Sequence, residues 1–481
     1  MRLTPRLAIA LILALTLYRI VLLTYGGTDL FVDEAQYWLW SQHLDFGYYS
    51  KPPMIAWVIH LTTLIGASES IFWVRVASPL FHMATALILI PAANRLTNSE
   101  KYGPWVGLSF ATLPGVALSS VFMSTDTILF PFLALALLCY AHLIERKSAG
   151  FALLMGIAIG LGTLSKYAML YFAGITILSA IFLPKTRIAL RDTVLAAFSA
   201  ILVILPNIWW NATHGDATLK HTSENADWHG LNFHIGKAGE FLASQFGVIG
   251  PVLFAALLIV FYRLVRGRTD TTEKHLFLLS WPIILVIVFQ ALMSRAYANW
   301  AATAYAAGTI LAVYFLARNA PKALLVSLVI NGIASLAFPV MAVYADKVTL
   351  PNGTAILHRY LGRSEMSRTI ADIAARSGTH IIVADDRDIL ADLFYTLRNG
   401  PFTLRAATNG GFPKNYYEQE YPLTAVTDIE PVLYITERQT LTCNGAVVDP
   451  VSRLHPQSGN YRKQTFNAYV IPASCLTSRL T

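Results

Sequence analysis

The composition of this 481-residue chain excludes an ordinary soluble enzyme, because 55% of its residues are hydrophobic and only 13% are charged, against roughly 25% charged residues in a typical soluble domain. Its net charge of +8 does not indicate nucleic-acid binding, since the basic residues lie mostly in short loops between apolar runs. Runs of this length can cross a bilayer core. The sequence therefore predicts a polytopic, α-helical membrane protein.

Apolar runs within residues 1–344 predict about eleven transmembrane helices. They cover residues 7–25, 72–93, 104–122, 126–144, 150–165, 168–184, 192–210, 244–262, 276–293, 299–317 and 323–344. The first run resembles a signal peptide, but no small-residue cleavage site follows it, so we interpret it as a retained anchor. Together these runs define a predicted membrane domain, residues 1–344.

Lysine and arginine residues are distributed unequally between the two sides of these spans, with about fifteen on one side and about six on the other. This bias predicts a cytoplasmic N-terminus. The two longest loops, residues 26–71 and 211–240, then face outward. Within the first loop, residues 34–40 and 54–64 have the pattern of amphipathic helices lying on the membrane surface.

From about residue 345 the composition becomes that of a small soluble domain, and an odd number of spans places this domain outside the cytoplasm. Helical and strand-like patterns alternate along it, which favours a compact α/β domain over residues 345–481. The helical patterns cover residues 365–377 and 386–398, and the strand-like runs cover 380–384, 432–436 and 466–471.

Three cysteines are too few for a disulfide scaffold or a zinc cluster. Cys139 lies in an apolar run, whereas Cys443 and Cys475 both lie in the polar C-terminal region. These two can form one disulfide if that region is extracytoplasmic.

Acidic residues near the predicted outer membrane boundary are candidates for chemistry, because charge at membrane depth is costly and is usually functional. Asp33 and Glu34 open the first amphipathic helix, and Asp126 begins the fourth span. The alternative is simple helix N-terminal capping, which acidic residues also favour.

Four cations lie at the same predicted boundary, where the positive-inside trend disfavours them. Lys51 precedes two prolines that fix a rigid corner, and the others are Arg75, Lys166 and Arg295. Several such cations indicate an anionic ligand, since guanidinium and ammonium groups bind phosphate. For Lys51 alone, a snorkelling lysine is the alternative.

Aromatic and polar side chains accompany these charges. Aromatic residues at an interface ordinarily form a membrane belt, but they can also stack on sugar faces. The candidates for a substrate pocket are Tyr48, Tyr49, Tyr167, Trp210, Asn211, His214, Asn299 and Trp300. Four histidines of the second loop have spacings that match no tight metal-ligand motif, which disfavours a metal site. They are His214, His221, His229 and His234.

The order of these motifs resembles the polyprenyl-phosphate-sugar glycosyltransferases of the protein O-mannosyltransferase and aminoarabinose (lipid A) transferase superfamily. The resemblance covers nearly the whole chain and implies the membrane-embedded GT-C fold, a lipid-linked sugar donor and a catalytic role for the acidic pair of the first loop. The motifs are Asp33-Glu34, Lys51-Pro52-Pro53, Arg75, residues 124–126, residues 162–167, Trp210-Asn211, Asn299-Trp300 and residues 385–395.

Sugar transfer from a polyprenyl phosphate needs a base for the acceptor hydroxyl and positive charge for the phosphate. We therefore predict Asp33 as the base and Glu34 and Asp126 as supporting acidic groups, with the four boundary cations as phosphate ligands. Direct attack would invert the anomeric carbon, as the resemblance also implies. A lipid-linked donor needs no nucleotide-binding Rossmann domain, and no G-x-G-x-x-G follows a strand. No cofactor is predicted, and a divalent metal is the disfavoured alternative.

The main alternative is a transporter or flippase for lipid-linked sugars, which also places ionisable residues in membrane cavities. It predicts pseudo-symmetric halves, whereas the two long loops differ. A structural assembly protein is a third possibility that leaves the boundary cations unexplained. The resemblance implies an envelope acceptor (lipid A, lipopolysaccharide core, another glycan or a protein hydroxyl) and a bacterial inner membrane, with the C-terminal domain in the periplasm.

Overall fold

The computed structural model describes residues 3–224, 233–408, 411, 413–424 and 430–477, the side chains of residues 221, 224 and 477 excepted. Its contacts divide the chain into two units. The first comprises Met1–Tyr25, Asp45–Ser68 and Phe72–Val340, and the second comprises Gly26–Leu44, Glu69–Ile71 and Met341–Thr481. The predicted domain boundary at residue 344 stays a prediction, and residues 26–44 are grouped with the C-terminal part of the chain.

Helices form nearly all of the regular structure up to residue 343. They are α1 (Pro5–Leu23), α2 (Val32–Gln42), α3 (Met54–Gly66), α4 (Ile71–Arg75), α5 (Ala77–Leu96), α6 (Gly103–Ala111), α7 (Pro114–Ser119), α8 (Thr125–Leu143), α9 (Ala149–Ser165), α10 (Leu170–Phe182), α11 (Leu190–Thr213), α12 (Ala217–Glu224), α13 (Ile235–Val248), α14 (Pro251–Val265), α15 (Thr271–Leu278), α16 (Trp281–Met293), α17 (Tyr305–Asn319) and α18 (Pro321–Val343). Short 3₁₀ helices cover Tyr167–Met169, Pro184–Thr186 and Ala298–Ala304.

Six helices among the described residues are long and apolar enough to cross a membrane, and a bent pair, α15 with α16, makes a seventh. Four further apolar helices are shorter. The multi-pass, helical character predicted from the sequence is confirmed, but the predicted number of about eleven spans is not. The six long helices are Pro5–Leu23, Ile71–Leu96, Thr125–Leu143, Leu190–Thr213, Ala298–Asn319 and Pro321–Val343.

Among the described residues, several predicted spans are not single helices, and a single residue accounts for the break in two of them. The run 104–122 is divided into α6 and α7, because a proline at the first position of α7 cannot donate a backbone hydrogen bond to a continuing helix. The run 244–262 begins in α13 and ends in α14. Gly250 separates these helices with φ 94°, and Pro251 begins α14, so the apolar pattern continues across a break in the backbone.

Helix α9 packs between α8 and α11, and this packing determines where the end of α9 lies. Gly156 and Gly160 face α11 so closely that a Cβ on either would collide with its residues, among them Ala196 and Val203. Small residues four positions apart allow such close approach of two membrane helices. The close contact holds α9 against α11 at these two glycines, and α9 ends at Ser165, directly before Lys166.

Among the described residues after 344, the second unit adds a short 3₁₀ helix (His358–Tyr360), four α-helices and seven strands. They are α19 (Arg363–Arg376), β1 (Ile381–Ala384), α20 (Arg387–Thr396), β2 (Thr403–Ala406), α21 (Tyr416–Glu420), β3 (Pro431–Thr436), β4 (Leu441–Cys443), β5 (Ala446–Val448), β6 (Ser452–Leu454), β7 (Phe466–Pro472) and α22 (Ser474–Thr477). The predicted α/β pattern is confirmed, with most element bounds within two residues of the prediction.

A five-stranded mixed sheet, in the order β2-β1-β3-β7-β6, forms the centre of this unit. Strand β1 is parallel to β2 and β3, and β7 is antiparallel to β3. All four residues of β1 are buried, as expected of a parallel strand covered on both faces. Functional groups in α/β sheets commonly follow the carboxyl ends of such strands, and β1 leads directly into α20.

Helix α2, which belongs to this second unit, packs on α20. Trp38 meets Tyr395 edge-to-face with ring centroids 5.0 Å apart, and Trp40 meets Tyr416 at 5.7 Å. Before α2, the carboxylate of Asp29 accepts a hydrogen bond of 2.9 Å from the backbone N–H at the start of α19. These contacts fix α2 against the C-terminal part of the chain.

Cys443 and Cys475 are joined by a disulfide in the structure. The bond links β4 to α22, across 32 residues of sequence. Cys139 is a free, buried cysteine in α8.

Replacing Gly250 by alanine is expected to destabilise the protein. Its φ of 94° and ψ of 147° suit glycine almost exclusively, and an L-residue there costs about 1–3 kcal/mol. A Cβ would also meet the side chain of Asn331, which donates to the carbonyl of Ile249. We expect Gly250→Ala to lower the melting temperature of the detergent-solubilised, full-length protein.

Gly247→Ala is the matched control for this substitution. Gly247 lies in α13 with nothing within 4 Å of an added Cβ, and alanine favours a helix over glycine by about 1 kcal/mol. Its melting temperature should be unchanged or higher. Equal melting temperatures for Gly250→Ala and the wild type would contradict the strain assigned to Gly250.

Candidate active site

The two acidic residues at the start of α2 have different surroundings. The side chain of Glu34 is buried and accepts a hydrogen bond of 2.9 Å from the backbone N–H of Phe31, so it caps its own helix. The side chain of Asp33 is 43% exposed. Of the two carboxylates, Asp33 is therefore the one accessible to a substrate.

Arg387, the first residue of α20, pairs with Asp33. Its Nη2 donates to Asp33 Oδ1 at 2.6 Å, and its Nε and Nη2 donate to Gln36 Oε1 at 3.0 and 2.9 Å. Asp33 and Gln36 share a face of α2 because they are three residues apart. Asp386 caps α20 by accepting from the N–H of Ile389, which places Arg387 in the first turn.

Partial burial acts to lower the pKa of the Arg387 guanidinium, but the Asp33 carboxylate outweighs it and the net pKa lies above the usual value. The guanidinium therefore stays charged. Among the described residues, Asp33 Oδ2 takes part in no hydrogen bond. One oxygen of Asp33 is thus held by a fixed cation while the other can accept a proton.

A second cluster lies in the first unit, around Asp126. Lys166 Nζ donates to Asp126 Oδ1 at 2.7 Å, and Asn299 Nδ2 donates to Asp126 Oδ2 at 2.8 Å. The cap of α8 is instead Ser124, whose hydroxyl accepts from the N–H of Thr127. Ser124 rather than Asp126 therefore caps α8. Three of the predicted site residues, Asp126, Lys166 and Asn299, contact one another.

Residues 45–51, here called the strap, lie against the end of α11 and the start of α12. Trp210 Nε1 donates to Asp45 Oδ2 at 2.7 Å, and Thr218 Oγ1 donates to the carbonyl of Tyr48, also at 2.7 Å. The phenolic oxygen of Tyr48 accepts from the N–H of Asp45. These bonds fix the backbone that carries Lys51, which precedes α3.

Hydrogen bonds continue from the strap to the residue beside Lys166. Asn207 Nδ2 donates to the carbonyl of Phe46 at 2.7 Å, and Tyr167 donates to Asn207 Oδ1 at 3.0 Å. Asn211 Nδ2 in turn donates to the Tyr167 hydroxyl at 3.3 Å. The strap and the Asp126 cluster are therefore connected through Asn207 and Tyr167.

The remaining predicted residues have separate surroundings. Arg75 is 1% exposed, with its guanidinium 5.1 Å from the centre of the Phe122 ring. Arg295 is exposed, between α16 and the following 3₁₀ helix, and Trp300 packs on Tyr297 in that segment.

Tyr49 is buried within the strap. His214 stacks on Trp210 with ring centroids 4.3 Å apart, so it supports the anchor of the strap. The assignment of these side chains to substrate binding stays a prediction.

Within the described part of the chain, no three His, Cys, Asp or Glu side chains are grouped so as to hold a metal ion. His229 and the side chain of His221, which the sequence analysis considered, lie outside the described residues.

Three contributors were missed from the sequence: Arg387, Asn207 and the carboxylate of Asp45. Asn207 lies three residues before Trp210, on the same helical face, and this spacing was the available signal. Arg387 follows two aspartates at the predicted start of a helix. Its partner Asp33 is 354 residues away, and no local pattern indicates such a pair.

The chain is similar to proteins of known family and fold. The family model for dolichyl-phosphate-mannose-protein mannosyltransferases matches residues 50–210, which contain Lys51, Asp126 and Lys166. The lipid A galacturonosyltransferase RgtD of Rhizobium johnstonii is 48% identical over 474 residues, 98% of this chain and 99% of that protein.

Solved structures show the same fold. ArnT from Cupriavidus metallidurans in the apo state aligns with a TM-score of 0.65 at 14% identity, over 98% of both chains. The structure of ArnT bound to undecaprenyl phosphate aligns with the same score over 89% of this chain and 92% of that one.

The fold and the relatives define a membrane glycosyltransferase of the GT-C type, which confirms the fold class and the enzyme class predicted from the sequence. The chain belongs to the family of polyprenyl-phosphate-sugar glycosyltransferases that contains the lipid A galacturonosyltransferase RgtD.

We expect the Asp126–Lys166 pair to be energetically coupled. The two side chains are only 10% and 22% exposed, and removing one partner leaves a charge poorly solvated. Asp126→Ala and Lys166→Ala should each lower stability, and the double variant should lose less than their sum, with a coupling free energy of about 1–3 kcal/mol. Melting temperatures of the four detergent-solubilised proteins measure this coupling, and strict additivity would contradict it.

Trp210→Phe should loosen the strap, because phenylalanine keeps an aromatic ring beside His214 but cannot donate to Asp45. A lost hydrogen bond of about 1 kcal/mol corresponds to roughly fivefold faster local opening. Hydrogen–deuterium exchange of a peptide covering residues 45–51 measures the change. Trp209→Phe, at an adjacent tryptophan that is 71% exposed, is the control and should leave exchange unaltered. Equal exchange in the two variants would contradict the anchoring role.

Proposed function

We propose that this protein transfers a galacturonosyl residue from a polyprenyl-phosphate donor to lipid A, at the outer face of the bacterial inner membrane. The observation that carries the proposal is the 48% identity to the lipid A galacturonosyltransferase RgtD over nearly the whole of both chains. The fold shared with ArnT, whose structure with undecaprenyl phosphate is known, supports a lipid-phosphate donor.

In the proposed reaction, an acceptor hydroxyl of lipid A attacks the anomeric carbon of the donor. Asp33 Oδ2 takes the hydroxyl proton as the new glycosidic bond forms. The bond between the anomeric carbon and the phosphate oxygen breaks, and its electron pair stays on the polyprenyl phosphate that leaves. One displacement of this kind inverts the anomeric centre.

The leaving phosphate gains negative charge, which fixed cations stabilise. Lys51 is half-buried on the strap and Arg295 is exposed, so we assign these two to direct phosphate contact. Lys166 is partly exposed and bound to Asp126, and Arg75 is fully buried. We assign to these two a supporting positive field, strongest where water is excluded.

The orientation follows the distribution of lysine and arginine, which supports a cytoplasmic N-terminus. A disulfide between Cys443 and Cys475 supports an oxidising compartment for the C-terminal part. Both features are in accord with a periplasmic location for the sheet-containing region and for the chemistry.

Asp33→Asn is expected to reduce kcat by about 10²- to 10⁴-fold, because the amide cannot accept the proton, with little change in KM for the donor. The measurement is transfer from undecaprenyl-phosphate galacturonate to lipid A by the purified full-length protein in detergent. In micelles no lipid has to cross between leaflets, so transfer there also separates an enzyme from a flippase. Asp372→Asn, an exposed carboxylate on α19, is the control.

Lys51→Ala should raise the donor KM by about 10- to 100-fold through loss of a charge-assisted phosphate contact. Undiminished turnover by Asp33→Asn would show that Asp33 is not the base.

Mass spectrometry of lipid A from a deletion strain tests the acceptor: one uronosyl residue should be lost and restored by the wild-type gene alone. Unchanged lipid A would contradict the proposed acceptor.

A further inference from the structure

The guanidinium of Arg387 is held by two of its nitrogens and leaves the third unused. Nε and Nη2 donate to Gln36 and Asp33, whereas Nη1 makes no hydrogen bond to any described residue. The side chain is 38% exposed. Arg387 therefore presents one oriented, charged donor to solvent, next to the open oxygen of Asp33.

Stability does not account for this arrangement. Ion pairs with this degree of exposure contribute about 0–1 kcal/mol, and α2 is already fixed on α20 by the Trp38–Tyr395 contact. Gln36 is 2% exposed, so a buried amide orients the guanidinium. Buried second partners that lock a charged group are typical of residues that meet a ligand.

A uronosyl donor supplies a ligand of the right chemistry. It differs from the corresponding neutral hexosyl donor by a carboxylate on C5 of the ring, one ring atom from the anomeric carbon across the ring oxygen. Arginine binds carboxylates through charge-assisted hydrogen bonds. A cation beside the base therefore suits a sugar that carries its negative charge on the same ring as the reacting carbon.

We propose that Arg387 binds the carboxylate of the donor sugar through Nη1 and makes the enzyme specific for uronosyl donors. The inference rests on the proposed function, because it requires a galacturonosyl donor. Asp33 Oδ1 keeps the guanidinium oriented, Oδ2 remains available to the acceptor hydroxyl, and a neutral sugar leaves Nη1 without a partner.

The test compares undecaprenyl-phosphate galacturonate with its C6 primary amide, which has the same shape and no charge. Dissociation constants and kcat/KM are measured for both donors with the wild type, Arg387→Gln and Arg387→Lys. Wild type should prefer the acid by about 10- to 100-fold, the range for one charge-assisted contact. Arg387→Gln should bring that ratio to within about threefold of unity, mainly by weakening the acid, and Arg387→Lys should keep part of it.

Arg376→Gln, an exposed arginine on α19, is the matched control and should leave the ratio intact. If Arg387→Gln weakens both donors equally, or if the wild type does not distinguish acid from amide, the inference is wrong and Arg387 only orients Asp33. Binding is measured independently of turnover, so a slow variant still gives a ratio. Failure of the wild type to transfer galacturonate to lipid A would instead contradict the proposed function.

Discussion

The ion pair between Asp33 and Arg387 is the interaction on which the proposed roles of these two residues depend. It joins α2, the helix that carries the proposed base, to α20, the helix that follows the buried strand β1 of the sheet. Because the pair engages only one oxygen of Asp33 and two nitrogens of Arg387, each partner keeps a free functional atom. Fixed charges of this kind need no reorganisation when the reaction begins.

In the first unit, charge is accommodated where regular helices end. Asp126 lies in the first turn of α8, Lys166 has an extended backbone after α9, and Asn299 lies in a 3₁₀ helix. Irregular backbone at membrane depth is tolerated where protein groups surround it. The three side chains satisfy one another, which reduces the cost of placing a carboxylate and an ammonium among apolar helices.

Much of the architecture could be predicted from local patterns. Hydropathy located most of the apolar helices, and β-rich runs and helical patterns located β1, α20 and β3 after residue 344. Breaks at Pro114 and Gly250 were missed because hydropathy averages over windows and is insensitive to a single residue that cannot continue a helix.

The sequence indicated several residues of the candidate site, but it did not indicate which of them contact one another. Asp126, Lys166 and Asn299 were each selected for charge or position, yet their mutual contact depends on how α8, α9 and the 3₁₀ helix pack. Arg387 was not predicted, because only its ion pair with Asp33 in the folded protein indicates a role for it. Trp210 was selected as a candidate for sugar stacking, which stays a prediction. The contact of its indole N–H with Asp45 of the strap was not predicted, because an interfacial aromatic pattern does not indicate hydrogen-bond partners.

The position of α2 in the chain has a consequence for biosynthesis. Residues 26–44 are among the first to leave the ribosome, but their packing partners on α19 and α20 are made only after the whole helical region has been inserted. At about 5–20 residues per second of synthesis, this early segment waits many seconds for its partners. During that interval Trp38 and Trp40 lack their folded-state partners Tyr395 and Tyr416.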